Sequence, residues 1–363
     1  MNKRIDRVVS ELIRRDLTHV VLAPGASFQY VTGIHAHQSE RLTLVGIGRD
    51  GKVSLIVPLL EADSYADHPD WAVYTYKDEE GYQGARDAFV RFLHINESSR
   101  IGVERDQLRL FEADALGQYY SCFISAQDLV MSLRLIKDED EIGAILRATS
   151  IVDQALQEML PTLKVGMAEV EIAAELEYRM RRLGSAGVPF ATIVCAGERA
   201  ALPHGEPSIK KVQAGELVVL DYGAIVDGYK ADTTRTIAFG DPGKEARYVY
   251  ETVQKAQQEA IVVIRPGLLA SAVDAVARDI ITQAGFGEFF THRTGHGLGL
   301  GVHEFPSIMK GNDLLLEPGM VFTVEPGIYL PKKLGVRIED DVVVTGDGVR
   351  ILTQFPKDLL IVQ

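Results

Sequence analysis

The chain has only two cysteines, Cys122 and Cys195, in 363 residues. They are too few for a disulfide scaffold and lack the spacing of a thiolate metal motif, which excludes a small stapled fold. No apolar run reaches the length that spans a bilayer, so no membrane partner is expected. The N-terminal stretch from Met1 to Ile13 sets charges between apolar residues at helical spacing, as a surface helix does and a signal peptide does not. A soluble, cytoplasmic protein is the expectation. Positive charge is short too. The net charge of −13 argues against nucleic acid as a partner. Disordered composition is missing, and 46% apolar residues suffice for real cores. At this length two domains are expected.

The densest chemistry lies in Gly295-His296-Gly297-Leu298-Gly299-Leu300-Gly301-Val302-His303-Glu304. Glycines at this density mean backbone freedom and close approach rather than an ordinary core element. Ser307 stands where H-E-x-x-H needs its second histidine, which rules out the helical zinc-protease motif. Val302 stands where G-x-G-x-x-G needs its third glycine. On an extended segment His296 and His303 would point to opposite faces unless a bend re-aims one.

Residues 1–130 read as an α/β domain. Strands are expected at 18–24, 42–47, 53–58 and 100–104, the middle two joined through an Asp50-Gly51 turn, with a helix at 83–97. No catalytic constellation appears there; the loop with His35 and His37 is its one odd feature. The second domain, 131–363, opens with a helix whose first turn is acidic, Asp138-Glu139-Asp140-Glu141, and which Pro161 stops.

This second half repeats itself. Helical stretches bounded by Gly166 and Gly184 recur between Gly267 and Gly285, both pairs offset by 101. The strand 214–223, carrying Asp221, parallels 318–327, carrying Glu325, at an offset of 104. A second strand is expected after each, 231–237 with Asp232 and 336–342 with Glu339. Two copies are too few for a solenoid, so a pseudo-twofold domain is the economical reading. Taken singly, each carboxylate has an ordinary explanation as a turn cap or solvated surface group. Together they do not. Burying four carboxylates at strand ends costs several kcal/mol each unless cations compensate, and Arg235 and Arg337 are too few. With His296 they form a set suited to two divalent ions.

Asp221-x-Gly223, Asp232-x-Thr234-Arg235-Thr236, the glycine-histidine run, Glu325-Pro326-Gly327 and Arg337-Ile338-Glu339-Asp340 resemble the ordered signature of the prolidase, aminopeptidase P and methionine aminopeptidase superfamily. The N-terminal domain resembles that of the prolidase and aminopeptidase P branch. The resemblance implies a creatinase/prolidase-like α/β N-terminal domain, an α+β pita-bread catalytic domain with an internal pseudo-twofold repeat, and a homodimer. Creatinase itself lacks the metal ligands that are all present here. Further implications concern roles. Asp221 would hold one metal, His296 and Glu325 the other, with Asp232 and Glu339 bridging. A bridging water would be the nucleophile, Glu325 its proton acceptor, His303 a substrate contact that stabilises the tetrahedral intermediate, and His204 a further active-site histidine. Arg337 would orient carboxylates. The ligand set favours Mn2+ over Zn2+ by hardness, with Co2+ a further option.

The activity implied is hydrolysis of the bond before proline in a proline-containing dipeptide or oligopeptide, as an Xaa-Pro dipeptidase or an Xaa-Pro aminopeptidase. Other readings are a non-peptidase hydrolase and a non-enzymatic binding protein on the same fold. Many prolidases carry an arginine directly after His-Glu-x-Pro that holds the substrate carboxylate. Here Ser307 takes that place, leaving Arg293, Lys310 or a partner-subunit residue as the substitute cation.

Overall fold

The computed structural model describes residues 3–66 and 68–363. It divides into two compact units, one ending at Arg134 and one running from Leu135 to Gln363. The first is built on one six-stranded mixed sheet in the order Ala72–Tyr76, Val53–Pro58, Leu44–Gly48, His19–Leu22, Ile101–Val103, Phe123–Ser125. The hairpin strands Leu44–Gly48 and Val53–Pro58 pair antiparallel, and Gly51 turns between them at a φ of 83°. Phe89 and Leu93, on and just after the helix Gln83–Phe92, are buried against Val21, Leu44 and Ile56 from the sheet.

The second unit is two copies of one design: a helix pair laid on a sheet that is antiparallel except for the parallel edge strand Ile361–Val362 of the first copy. In the first copy, helices Glu139–Met159 and Glu169–Arg182 bury Val152, Leu156 and Leu176 against Leu220 and Ile237. Their sheet runs Ile361–Val362, Thr233–Phe239, Glu216–Tyr222, Ile193–Ala196. In the second, helices Gly243–Val262 and Ala270–Gln283 bury Val253, Val273 and Ala277 against Phe322, Val324 and Val342. The sheet there runs Glu304–Ile308, Gly295–Gly297, Val321–Val324, Asp340–Val344, Val349–Ile351. This is the α+β pita-bread arrangement with its internal pseudo-twofold repeat.

Local chemistry explains the boundaries. Asp138 accepts a hydrogen bond from Glu141 N while the Glu141 carboxylate accepts from Asp138 N, a capping box that starts the long helix. Gly184 and Gly285 end the paired helices in the left-handed region, at φ 106° and 89°. In both, the next residue's N–H reaches back into the last turn, Ser185 to Met180 O and Phe286 to Ile281 O.

One expectation needs correction. The continuous strand 336–342 is two: Leu334–Arg337 pairs with Gly327–Leu330 as a hairpin, and Asp340–Val344 pairs with Val321–Val324. The first copy has the same insertion in miniature, Ile225–Val226 with Tyr229–Lys230. The interruption leaves Glu339 immediately before its strand, as Asp232 is before Thr233.

Candidate metal centre

Each carboxylate is placed by the end of a strand. Asp221 is the penultimate residue of the buried strand Glu216–Tyr222, with Thr234 opposite it. Asp232 directly precedes Thr233, Glu325 directly follows Val324, and Glu339 directly precedes Asp340. His296 is the middle of a three-residue strand, and its neighbours must be glycine. A Cβ at Gly295 would lie 1.8 Å from Thr323 O, and one at Gly297 2.0 Å from Phe305 O. The glycines therefore let the imidazole's backbone sit in the sheet between two strands.

Asp232, His296 and Glu339 each aim a ligand atom into one spot, all within 4.8 Å of one another. His296 Nε2 is 3.7 Å from Asp232 Oδ2 and 3.3 Å from Glu325 Oε1. Its Nδ1 lies 3.1 Å from Gly297 O, which fits a ring that donates from Nδ1 and presents a bare lone pair at Nε2. Burial and the nearby His303 press its pKa down to about 3, so the ring is neutral. The carboxylates shift the other way. Burial, then repulsion from the neighbouring carboxylates, raises Asp232 and Glu339 well above their ordinary range, and Glu325 is pushed up to about 7, chiefly by burial. Thr234 donates to Glu339 Oε2 at 2.7 Å and Thr323 to Glu325 Oε1 at 3.2 Å, fixing both groups.

Asp221 is held differently. Its Oδ2 accepts from Arg337 Nη2 at 2.5 Å, while its Oδ1 is buried without a protein partner. Arg337 is buried and spent on this task. It donates also to Thr234 Oγ1 at 3.0 Å and to Tyr329 Oη at 2.8 Å. Tyr329 Oη lies 2.9 Å from His292 Nε2, and His292 Nδ1 lies 2.7 Å from Arg293 O. With His292 neutral, its pKa lowered to about 4 mainly by burial, one proton pattern satisfies every member. Nδ1–H donates to the carbonyl, and the tyrosine donates to Nε2 while accepting from Arg337. Arg235, by contrast, turns to Asp340 at 2.8 Å and to the Glu339 carbonyl, so it steadies the backbone rather than Asp232.

The donor set fits divalent ions. Four carboxylates and one imidazole converge, an Asp221 oxygen is orphaned, and three of the carboxylates resist ionising together as they stand. Cations would restore the charge balance that the arginines do not supply.

All seven residues expected from the sequence, His204, Asp221, Asp232, His296, His303, Glu325 and Glu339, line one cavity of about 590 Å³. The expected opposition of His296 and His303 is undone by the turn between them. Gly301 N donates to Glu304 Oε1 at 2.6 Å, and a register shift follows His296. The two rings meet edge to face at 4.4 Å. Glu304 in turn pairs with Lys137 at 3.2 Å, both side chains buried. Sequence reasoning missed Tyr329, His292 and Thr323. Only Thr323 left a trace, as a hydroxyl inside an apolar strand.

Residues 143–346 match metallopeptidase family M24 and residues 4–136 the creatinase/prolidase N-terminal domain. The chain is 38% identical over 362 residues to a putative dipeptidase, YkvY, of Bacillus subtilis (strain 168), covering 99% of each. It is similar to the solved structure of a recombinant prolidase from Thermococcus sibiricus at TM-score 0.94 and 35% identity, covering 99% of this chain and 98% of that one. It is also similar to that of an X-Pro aminopeptidase from Thermotoga maritima MSB8, at TM-score 0.86 and 34% identity over 99% of both chains. The chain is a metallopeptidase of family M24, in the branch that carries the creatinase/prolidase N-terminal domain.

Proposed function

We propose that this protein hydrolyses the peptide bond before proline, as an Xaa-Pro dipeptidase working with two divalent ions, Mn2+ in the first instance. The observation that carries the reading is the convergence of Asp221, Asp232, His296, Glu325 and Glu339 in one cavity that His204 and His303 also line. In this reading Asp221 would serve one ion, His296 and Glu325 the other, and Asp232 and Glu339 would serve both. When bound, the ions supply a polarised scissile carbonyl and a water acidic enough to attack near neutral pH.

The chain's residues do the rest. Glu325 takes the attacking water's proton and returns it to the leaving proline nitrogen. His303, edge-on to His296, donates to the carbonyl oxygen as it gains charge, and His204 is a further histidine of the same cavity. Arg337 orients Asp221. Tyr329 and His292 hold that guanidinium in turn. A cytoplasmic homodimer belongs to the same reading, and light scattering of the purified protein tests the dimer.

A second reading, an aminopeptidase acting on longer peptides, is favoured by Ser307 and by the similarity to the X-Pro aminopeptidase. One experiment separates them. The Mn2+-loaded protein is given an Xaa-Pro dipeptide and the same dipeptide extended by two residues. Faster cleavage of the dipeptide supports the dipeptidase. Faster cleavage of the longer peptide replaces it with the aminopeptidase, and cleavage of neither overturns both.

A further inference from the structure

One buried carboxylate of the catalytic unit has no part in the metal centre. Glu169 opens the helix Glu169–Arg182, is wholly buried and does not line the cavity. Both its oxygens are taken. Oε1 accepts from Ala196 N at 2.8 Å and from Arg199 Nε at 3.2 Å. Oε2 accepts from Arg199 Nε at 3.0 Å, Ser208 N at 2.9 Å and Ser208 Oγ at 2.7 Å.

These partners belong to one segment. Ala196 ends the strand Ile193–Ala196, Ser208 lies where the chain returns, and the loop between them brings His204 to the cavity. The return is fastened again through the backbone, since Val170 N donates to Ser208 O and Glu169 N to Lys210 O. Arg199 spans the loop: with Nε on Glu169, its Nη2 donates to Glu206 O at 2.5 Å, two residues past His204. The carbonyls flanking His204 are held too, Pro203 O by Arg337 Nη1 at 3.1 Å and Gly205 O by Cys195 Sγ at 3.3 Å. Among the described residues no hydrogen bond holds the His204 ring itself. Where that imidazole stands is therefore decided by its loop.

We infer that Glu169 is a positioning residue for His204: it ties both ends of the 196–208 loop and, through Arg199, its interior at Glu206. This rests on the reading of the site as a peptidase in which His204 takes part. The chemistry of the clamp requires a carboxylate. Donors face both oxygens, and an amide can present only one acceptor atom. Whichever oxygen became NH2, it would confront the backbone N–H of Ala196 or of Ser208, and that buried donor would lose its partner. One end of the loop would then loosen. A histidine that must meet charge as it develops tolerates little displacement, and a shift of about 1 Å can cost up to about a hundredfold in rate.

The test is a cycle on the Mn2+-loaded protein: wild type, Glu169→Gln, His204→Ala and the double variant, with an Xaa-Pro dipeptide as substrate. E169Q is expected to keep its metal and to lose about tenfold or more in kcat, with KM moved less than about threefold. In the H204A background the same change is expected to cost less than about twofold, because the group it acts through is gone. A second readout needs no turnover. In hydrogen exchange, peptides spanning 197–208 should open faster in E169Q, while those holding Asp221 and Asp232 keep wild-type rates. If E169Q does not fold, Glu169→Asp, with both oxygens drawn back by one methylene, takes its place in the cycle. Equal losses in the two backgrounds, or metal lost from E169Q, overturn this inference alone. Wild-type turnover in H204A removes His204 from the reaction and the inference with it. No cleavage by loaded wild type overturns the peptidase reading as well.

Discussion

At the residue scale the site is a balance of charge. Three carboxylates with raised pKa values and one imidazole with a lowered one are stable neighbours only if cations sit among them. Asp232→Asn and Glu339→Gln are therefore expected to lower Mn2+ retention sharply and turnover by about a thousandfold or more, while folding is kept. Dialysis followed by metal analysis, with circular dichroism as the folding control, checks this; variants retaining wild-type turnover would remove these two residues from the site. The proposed ligands were legible in the sequence, because a strand ending in a carboxylate recurs and because no ordinary element needs the 295–304 composition. Their supports were not. Arg337 finds Asp221 across 116 residues, and Tyr329 is a plain hairpin residue until Arg337 and His292 meet on its hydroxyl. Such partnerships arise from folding and leave no local pattern.

At the element scale, two glycines with opposite surroundings make the argument testable. Gly285 sits at φ 89° with open space where a Cβ would go, so Gly285→Ala costs only backbone strain, about 1 kcal/mol. A melting temperature lower by about 2–4 °C and ordinary metal binding are expected. Gly297 is the reverse: a Cβ there meets Phe305 O at 2.0 Å, so Gly297→Ala must push the His296 strand out of register. Loss of metal affinity together with a larger melting decrease is expected. Equal effects at the two positions, in calorimetry with and without Mn2+, would contradict this account of the strand. The repeat's helices, glycine stops and sheets followed from periodicity and turn chemistry. The break at Ile338-Glu339 did not, because 336–342 is rich in strand-forming residues and its hairpin partner, Gly327–Leu330, is set by tertiary pairing.

For the whole molecule the same groups link stability to pH. In the metal-free protein Asp232, Glu325 and Glu339 bind protons more tightly folded than unfolded. Their contribution is full below the ordinary carboxylate range and is lost as pH rises through their folded values, about 7 for Glu325. His296 and His292 work in the opposite sense, but only below about pH 6.5, since above it they are neutral in both states. Between pH 6.5 and 8 the carboxylates decide, so the metal-free protein is expected to melt lower as pH rises. The gain on adding Mn2+ should be larger at pH 8 than at 6.5. Differential scanning fluorimetry reads both; a metal-free melting point that climbs over this interval would contradict the charge balance proposed. The boundary expected at 130/131 rested on the acidic helix start after Lys137, which marks a helix N-terminus.

The central claim is that four carboxylates from two repeated strand pairs, with His296 from the glycine-flanked strand, hold two divalent ions for cutting before proline. It is tested most directly by stripping the protein of metal and following Xaa-Pro hydrolysis as Mn2+ is returned in counted amounts. The account predicts no turnover without metal and a plateau at about two ions per chain, absent in Asp232→Asn. Turnover by the stripped protein, or two bound ions with no cleavage of any Xaa-Pro peptide, would contradict it.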